Sequence, residues 1–182
     1  MEIQIFAKYM KTSVLLLLVL FSLTLTVTVV NAFDPAKSYK IMSLSSGKVM
    51  SVAGISHDNG ADIHQYEYRN QDNQKWKIIQ LSGADKGYYR IVSVNSGKCL
   101  EIGGWSTQEG SKANQYQCHN GDNQKFYLVP IKTCNLEYII KNKNSGMILG
   151  VQDNSLENLA DIVQYPFVSK VPDNEIWIIN AV

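Results

Sequence analysis

The sequence has no cluster of Lys and Arg. Of its 17 basic and 16 acidic residues, Lys8, Lys11 and Glu2 precede Phe33, so the rest of the chain balances to zero net charge. A neutral domain without a basic run argues against nucleic acid, heparin or anionic lipid as partner. No Asn-x-Ser/Thr acceptor for an N-linked glycan is present. His57, His64 and His119 lack metal-ligand spacing with Cys or carboxylates, which argues against zinc. There is no glycine-rich phosphate loop, and no Ser or Cys stands in a nucleophile setting, so neither a cofactor nor an enzyme is expected. Glu101 and Asp122 are a formal glycosidase-like carboxylate pair. Asp122, however, belongs to a turn that recurs at Asp72 and Asp173 and is expected to be structural. Beyond residue 32 no stretch keeps a helical apolar period for three turns.

Cysteine is also scarce, with only Cys99, Cys118 and Cys134. In an exported protein two of them are expected to pair, and composition leaves all three pairings open. Export is suggested by the N-terminus. Lys8 and Lys11 precede the largely apolar stretch Thr12 to Val30, and Val30-Asn31-Ala32 resembles a signal-peptidase site. Residues 1–32 are therefore expected to be a signal peptide cleaved after Ala32. Met10 is an alternative start, and an uncleaved membrane anchor is the alternative fate, since the 19-residue stretch is nearly long enough to span a bilayer. Cleavage would give an extracellular domain, Phe33 to Val182, long enough for a real core.

What the chain does contain is one phrase written twice and a worn third time. Asp72-Asn73-Gln74-Lys75-Trp76 returns as Asp122-Asn123-Gln124-Lys125-Phe126 and as Asp173-Asn174-Glu175-Ile176-Trp177. Other landmarks share the register: Tyr39, Tyr89, Tyr138; Ser46-Gly47, Ser96-Gly97, Ser145-Gly146; and Gln65-Tyr66, Gln115-Tyr116, Gln164-Tyr165. The repeats span about 38–82, 88–131 and 137–182, and the third delays its closing phrase by two residues. An aromatic recurring once per repeat is expected to be a hub, so Trp76, Phe126 and Trp177 are assigned to a shared core. Within a unit, Tyr39–Leu44, Val49–Val52, Ala61–Tyr68 and Trp76–Gln80 read as strands separated by turn clusters. Four strands in each of three units predict an all-β barrel or closed sandwich of twelve short strands with threefold pseudosymmetry. A solenoid would leave open edges.

The tripled unit, with Gln-x-aromatic near its end and Gln-Tyr before it, resembles the ricin B-chain-like lectin domain. The resemblance covers Tyr39 to Ile179, and Glu175-Ile176-Trp177 departs from its Gln-x-Trp pattern. It implies a β-trefoil, a six-stranded barrel capped by three hairpins. It also implies a shallow sugar pocket in each repeat. There an acid and amides take the hydroxyls while an aromatic ring covers the sugar's C–H face.

Carried over, the resemblance gives the second repeat Glu101 as the acid, where the family usually has Asp. Tyr116 is the stacking ring, with Asn114 and Asn123 as polar contacts. It also implies a Cys99–Cys118 disulfide, leaving Cys134 unassigned. In the first repeat His64, Tyr66 and Asn73 correspond, but Ser51 replaces the acid, with Asp58 or Asp62 the nearby substitutes. In the third, Tyr165 and Asn174 correspond, but Gly150 replaces the acid, Val163 replaces the polar residue, and Asp153 is the only close carboxylate. The sites therefore rank second, first, third. The bland alternatives are rim tyrosines packed over the hairpins and asparagines that merely form turns.

The expectation is thus a secreted, non-enzymatic lectin for galactose-type or related sugars on glycans or glycoproteins. A single shallow pocket of this kind binds at about 4 kcal/mol, the millimolar range, so avidity would come from several sites or an oligomer. The alternative is a trefoil scaffold for protein interaction or inhibition, its sugar pockets vestigial.

Overall fold

The computed structural model describes residues 33–131 and 136–182. The expected signal peptide and Cys134 lie outside the described residues. Each repeat contributes four strands. The first has β1 (Tyr39–Ser43), β2 (Val49–Val52), β3 (Ile63–Tyr66) and β4 (Trp76–Gln80). The second has β5 (Tyr89–Ser93), β6 (Cys99–Ile102), β7 (Ala113–Tyr116) and β8 (Phe126–Pro130). The third has β9 (Glu137–Asn142), β10 (Ile148–Val151), β11 (Ile162–Tyr165) and β12 (Trp177–Ala181). The strand expected over 61–68 is shorter than its β-forming composition suggested. Ala61 lies outside it, Asp62 makes only an isolated bridge to Asn114 of the second repeat, and the chain leaves the ladder after Tyr66.

The first and last strands of each repeat close a six-stranded barrel. β1 pairs with β4, β4 with β5, β5 with β8, β8 with β9, β9 with β12, and β12 with β1. The middle strands form three hairpins, β2–β3, β6–β7 and β10–β11. This is the β-trefoil, and a closed barrel has no open edge among its six strands.

Trp76, Phe126 and Trp177 are fully buried in one hydrophobic cluster with Ile41, Ile91 and Ile140. The indoles are also anchored, Trp76 Nε1 donating to the Met50 carbonyl (3.2 Å) and Trp177 Nε1 to that of Leu149 (2.9 Å). Gln74 lies in the 3₁₀ turn Asp72–Gln74 rather than in the strand, so it shares burial with Trp76 but not a pleat. The repeated Tyr39, Tyr89 and Tyr138 surround Phe33, whose ring centroid lies 5.3, 5.6 and 5.5 Å from theirs. Burial pushes the phenols of Tyr89 and Tyr138 above the ordinary tyrosine range.

The Gln of each Gln-Tyr landmark is fully buried and joins two repeats. Gln65 accepts from Ser46 Oγ (2.6 Å) and donates to the carbonyls of Ser155 (2.9 Å) and Glu157 (2.7 Å). Gln115 accepts from Ser96 Oγ (2.6 Å) and donates to those of Ser56 and Asp58, both at 3.0 Å. Gln164 accepts from Ser145 Oγ (2.7 Å) and donates to those of Ser106 (3.1 Å) and Gln108 (2.7 Å). Each hairpin thereby holds the loop of another repeat, its amide donating to two of that loop's carbonyls.

Candidate functional site

In the second repeat the β6–β7 register sets Glu101 opposite Asn114 and Cys99 opposite Tyr116. A disulfide joins Cys99 to Cys118 and fixes the segment just after Tyr116. The 3₁₀ turn Asp122–Gln124 then carries Asn123 and Gln124 under Glu101. Lys125 (2.9 Å) and Lys143 (3.1 Å) both donate to Asp122 Oδ1 and tie that turn down. These hydrogen bonds, Lys125 foremost, hold the Asp122 carboxyl below the usual carboxylate range. Asp122 is thus committed to an ion-pair network, as its place in a repeated turn implied.

Glu101 is only 5% exposed. Its Oε2 accepts from Asn123 Nδ2 (3.2 Å) and Gln124 Nε2 (2.9 Å), with His119 Nε2 at 3.5 Å. No donor among the described residues reaches Oε1. Asn123 also donates to the Ile102 carbonyl (3.2 Å), and its Oδ1 is buried without a partner. It ties strand, acid and turn together, combining the turn role with an indirect place in the site. Asn114 is partly buried, its amide lying against Gly103, where a Cβ would come within 2.6 Å of Nδ2, and its Oδ1 too has no partner. Tyr116 is 41% exposed and meets His119 edge-on, centroids 6.3 Å apart. His119 in turn stacks on Trp105 at 5.8 Å and 13°.

The first repeat assembles a different surface. Ser51 takes the place of the acid and accepts from Asn73 Nδ2 (3.0 Å), which also donates to the Val52 carbonyl. A cleft of about 270 Å³ lies here, lined among others by Ser51, His64, Tyr66, Arg69, Asn73 and Leu159. Neither Asp58 nor Asp62 lines it; Asp58 accepts from Ser56 Oγ, and Asp62 pairs with Lys112 at 3.5 Å. The Arg69 guanidinium sits over one face of the Tyr66 ring, 4.9 Å from its centroid. His64 is buried beside Tyr66, and burial lowers its pKa, partly offset by Asp161 and Asp62.

In the third repeat Tyr165 is partly buried, and its Oη accepts from the Asp153 amide (3.2 Å). Asn174 Nδ2 donates to the Val151 carbonyl (3.0 Å). Val163 is buried. Gly150 is not simply a lost acid, because a Cβ there would sit 2.6 Å from Glu175 Cγ and 3.0 Å from Tyr165 Cδ2. Glu175 is 7% exposed, and its Oε2 is buried without a hydrogen bond. Burial, with the charge of Glu109, raises its pKa.

Sequence reasoning therefore placed Glu101, Tyr116, Asn114 and Asn123 in one neighbourhood, and the structure brings them together. It missed His119, which meets Tyr116, Trp105, which stacks on His119, and Arg69, which lies over Tyr66. Trp105 has Ile55 and Asn154 as its counterparts, so repetition carried no signal for it.

Comparison with known proteins agrees with this geometry. A family model described as ricin-type β-trefoil lectin domain-like matches residues 28–85 and 72–165. Among solved structures, the designed threefold-symmetric protein ThreeFoil is 34% identical, with a TM-score of 0.72, over 78% of this chain and 96% of its own. An exo-β-1,3-galactanase from Clostridium thermocellum is 28% identical, with a TM-score of 0.75, over 83% of this chain but only 31% of its own. The C-terminal half of an earthworm R-type lectin, solved with GalNAc, has a TM-score of 0.60 at 17% identity, over 80% of this chain and 99% of its own, a likeness of fold. Among curated proteins nothing matches. With its barrel, its three hairpins and a family match over most of its length, the chain belongs to the ricin-type β-trefoil lectin-like family.

Proposed function

We propose that the protein is a secreted, non-enzymatic lectin that binds galactose-type glycans, chiefly through its second repeat. The family and its lectin neighbours support carbohydrate binding. The observation that carries the choice of repeat is that buried Glu101 and exposed Tyr116 share the β6–β7 hairpin, with His119 approaching both. A hexose offers C–H groups on one face and hydroxyls at its edge, and a carboxylate beside an open aromatic ring matches both. The first repeat has the ring capped by Arg69 and a Ser for the acid, and the third has its Tyr165 hydroxyl engaged by Asp153. Weak affinity at one pocket, in the millimolar range near 4 kcal/mol, makes multivalent display the effective mode.

The non-enzymatic reading takes support from Asp122, the partner Glu101 would need for glycoside hydrolysis, being ion-paired to Lys125 and Lys143. The galactanase relative carries its activity on a chain of which this protein spans less than a third.

A glycan array followed by titration of galactose tests the proposal. Binding by the wild type, lost in Tyr116→Ala and Glu101→Ala, is expected. No binding to any glycan, or variants that bind like wild type, would reject it. The altered first and third repeats favour a second reading, a protein-interaction scaffold. Capture of an extracellular protein that competing sugar does not release would support that reading instead.

A further inference from the structure

We infer that the second repeat reads two adjoining rings of a glycan, with Trp105 as the platform for the second ring. The inference rests on the lectin reading of that repeat and assigns it an additional subsite. Trp105 is 52% exposed. It is nevertheless held in place. One face stacks on His119, and the indole lies over Gly121, where a Cβ would come within 2.5 Å of Trp105 Cζ2 and 2.6 Å of His119 Cε1. Its own carbonyl accepts from Asn144 Nδ2 (3.0 Å).

The backbone turn beneath it is common to all three repeats. Ile55, Trp105 and Asn154 all hold a positive φ, at 55°, 56° and 50°. Asn95 Nδ2 donates to the Ile55 carbonyl (3.1 Å) much as Asn144 does to that of Trp105. The turn therefore needs no indole, and the second repeat alone places one there. A large apolar side chain left in water is unfavourable to solubility and unnecessary to this turn. Ordered in advance, it gives up little conformational freedom when a ligand covers it. Tyr116, His119 and Trp105 make a continuous aromatic strip beside Glu101, with successive centroids 6.3 and 5.8 Å apart and His119 Nε2 3.5 Å from Glu101 Oε2. A ring seated on Tyr116 with its hydroxyls toward Glu101 leaves the linked neighbour to lie along His119 and Trp105. The ligand class is a di- or oligosaccharide rather than a lone hexose.

Methyl β-galactoside and lactose, titrated by calorimetry against wild type, Trp105→Ala, Trp105→Phe and Tyr116→Ala, test the inference. Lactose is expected to bind about tenfold more tightly than the monosaccharide, the scale of one aromatic contact. Trp105→Ala should remove that advantage and leave methyl β-galactoside unchanged, Trp105→Phe should keep most of it, and Tyr116→Ala should lose both ligands. The other two tryptophans, Trp76 and Trp177, are fully buried, so a lactose-dependent shift in tryptophan emission reports on Trp105. Equal affinity for the two sugars, or parallel loss of both in Trp105→Ala, overturns the second subsite while the lectin reading stands. Failure of wild type to bind either sugar overturns both.

Discussion

Glu175 fills the space that a side chain on Gly150 would need: a Cβ at position 150 would lie 2.6 Å from its Cγ. In the second repeat the corresponding pair is Glu101 and Gln124, acid on the strand and amide in the turn, bonded at 2.9 Å. The third repeat moves its acid to the turn position and empties the strand position to make room. What it forfeits is a partner, since Glu175 Oε2 is buried and unbonded.

Glu175→Gln should therefore stabilise the protein at neutral pH by about 1 kcal/mol, the lower end of the cost of an unsatisfied buried group. The sign follows from linkage. The folded pKa of Glu175 lies above its unfolded value, so its contribution is intact below the unfolded pKa and is lost as pH rises through the folded one. The advantage of Gln should fade in acid. Urea unfolding of both proteins at neutral and acid pH measures this, and an equal gap at both would contradict it.

Gln115→Ala removes the acceptor of Ser96 and leaves the carbonyls of Ser56 and Asp58 without that donor. The expected loss is about 2–4 kcal/mol for the three hydrogen bonds removed. Hydrogen exchange should quicken at Gly60, whose amide donates to the Gln115 carbonyl (2.8 Å). A variant that melts with wild-type midpoint and protection would show the clamp to be dispensable.

Phe33→Ala should cost about 2 kcal/mol, below the range for a fully buried Phe because this ring is only partly covered. Water then reaches Tyr89 and Tyr138, and their raised pKa values should fall toward the ordinary one, since burial is the foremost cause of both shifts. Ultraviolet titration of the phenols and a thermal melt together check this; unchanged titration would mean that the ring does not shield them.

Reduction of Cys99–Cys118, 19 residues apart, should lower stability by about 3 kcal/mol in the chain-entropy model. Because the bond pins the chain beyond Tyr116, sugar affinity should fall in the reduced protein even where it remains folded. Titration with and without reductant separates the two effects.

Most of the architecture was legible in the sequence because repetition supplied three aligned examples of each unit. The hub aromatics, the twelve strands and the β6–β7 neighbourhood of Glu101 all follow from landmarks in register. What stayed hidden lies where the repeats differ. Trp105 stands where the other repeats have Ile55 and Asn154, Arg69 stands where the second has His119, and Glu175 looked like a worn Gln when it was a displaced acid. The duty of Gln65, Gln115 and Gln164 was hidden for another reason. Their partners are main-chain carbonyls of a different unit, and a carbonyl leaves no mark in the residue letters.

Those three glutamines have an effect that no single unit could produce. Gln65 holds the third unit, Gln164 the second and Gln115 the first, so the hairpins form a loop with neither head nor tail. The Val182 amide meets the Ser38 carbonyl at 2.9 Å, which sets the two ends of the domain side by side. Where the polypeptide happens to be severed is then nearly arbitrary. A chain rewired from Val182 back to Phe33 and opened between the first two units would keep every one of these ties.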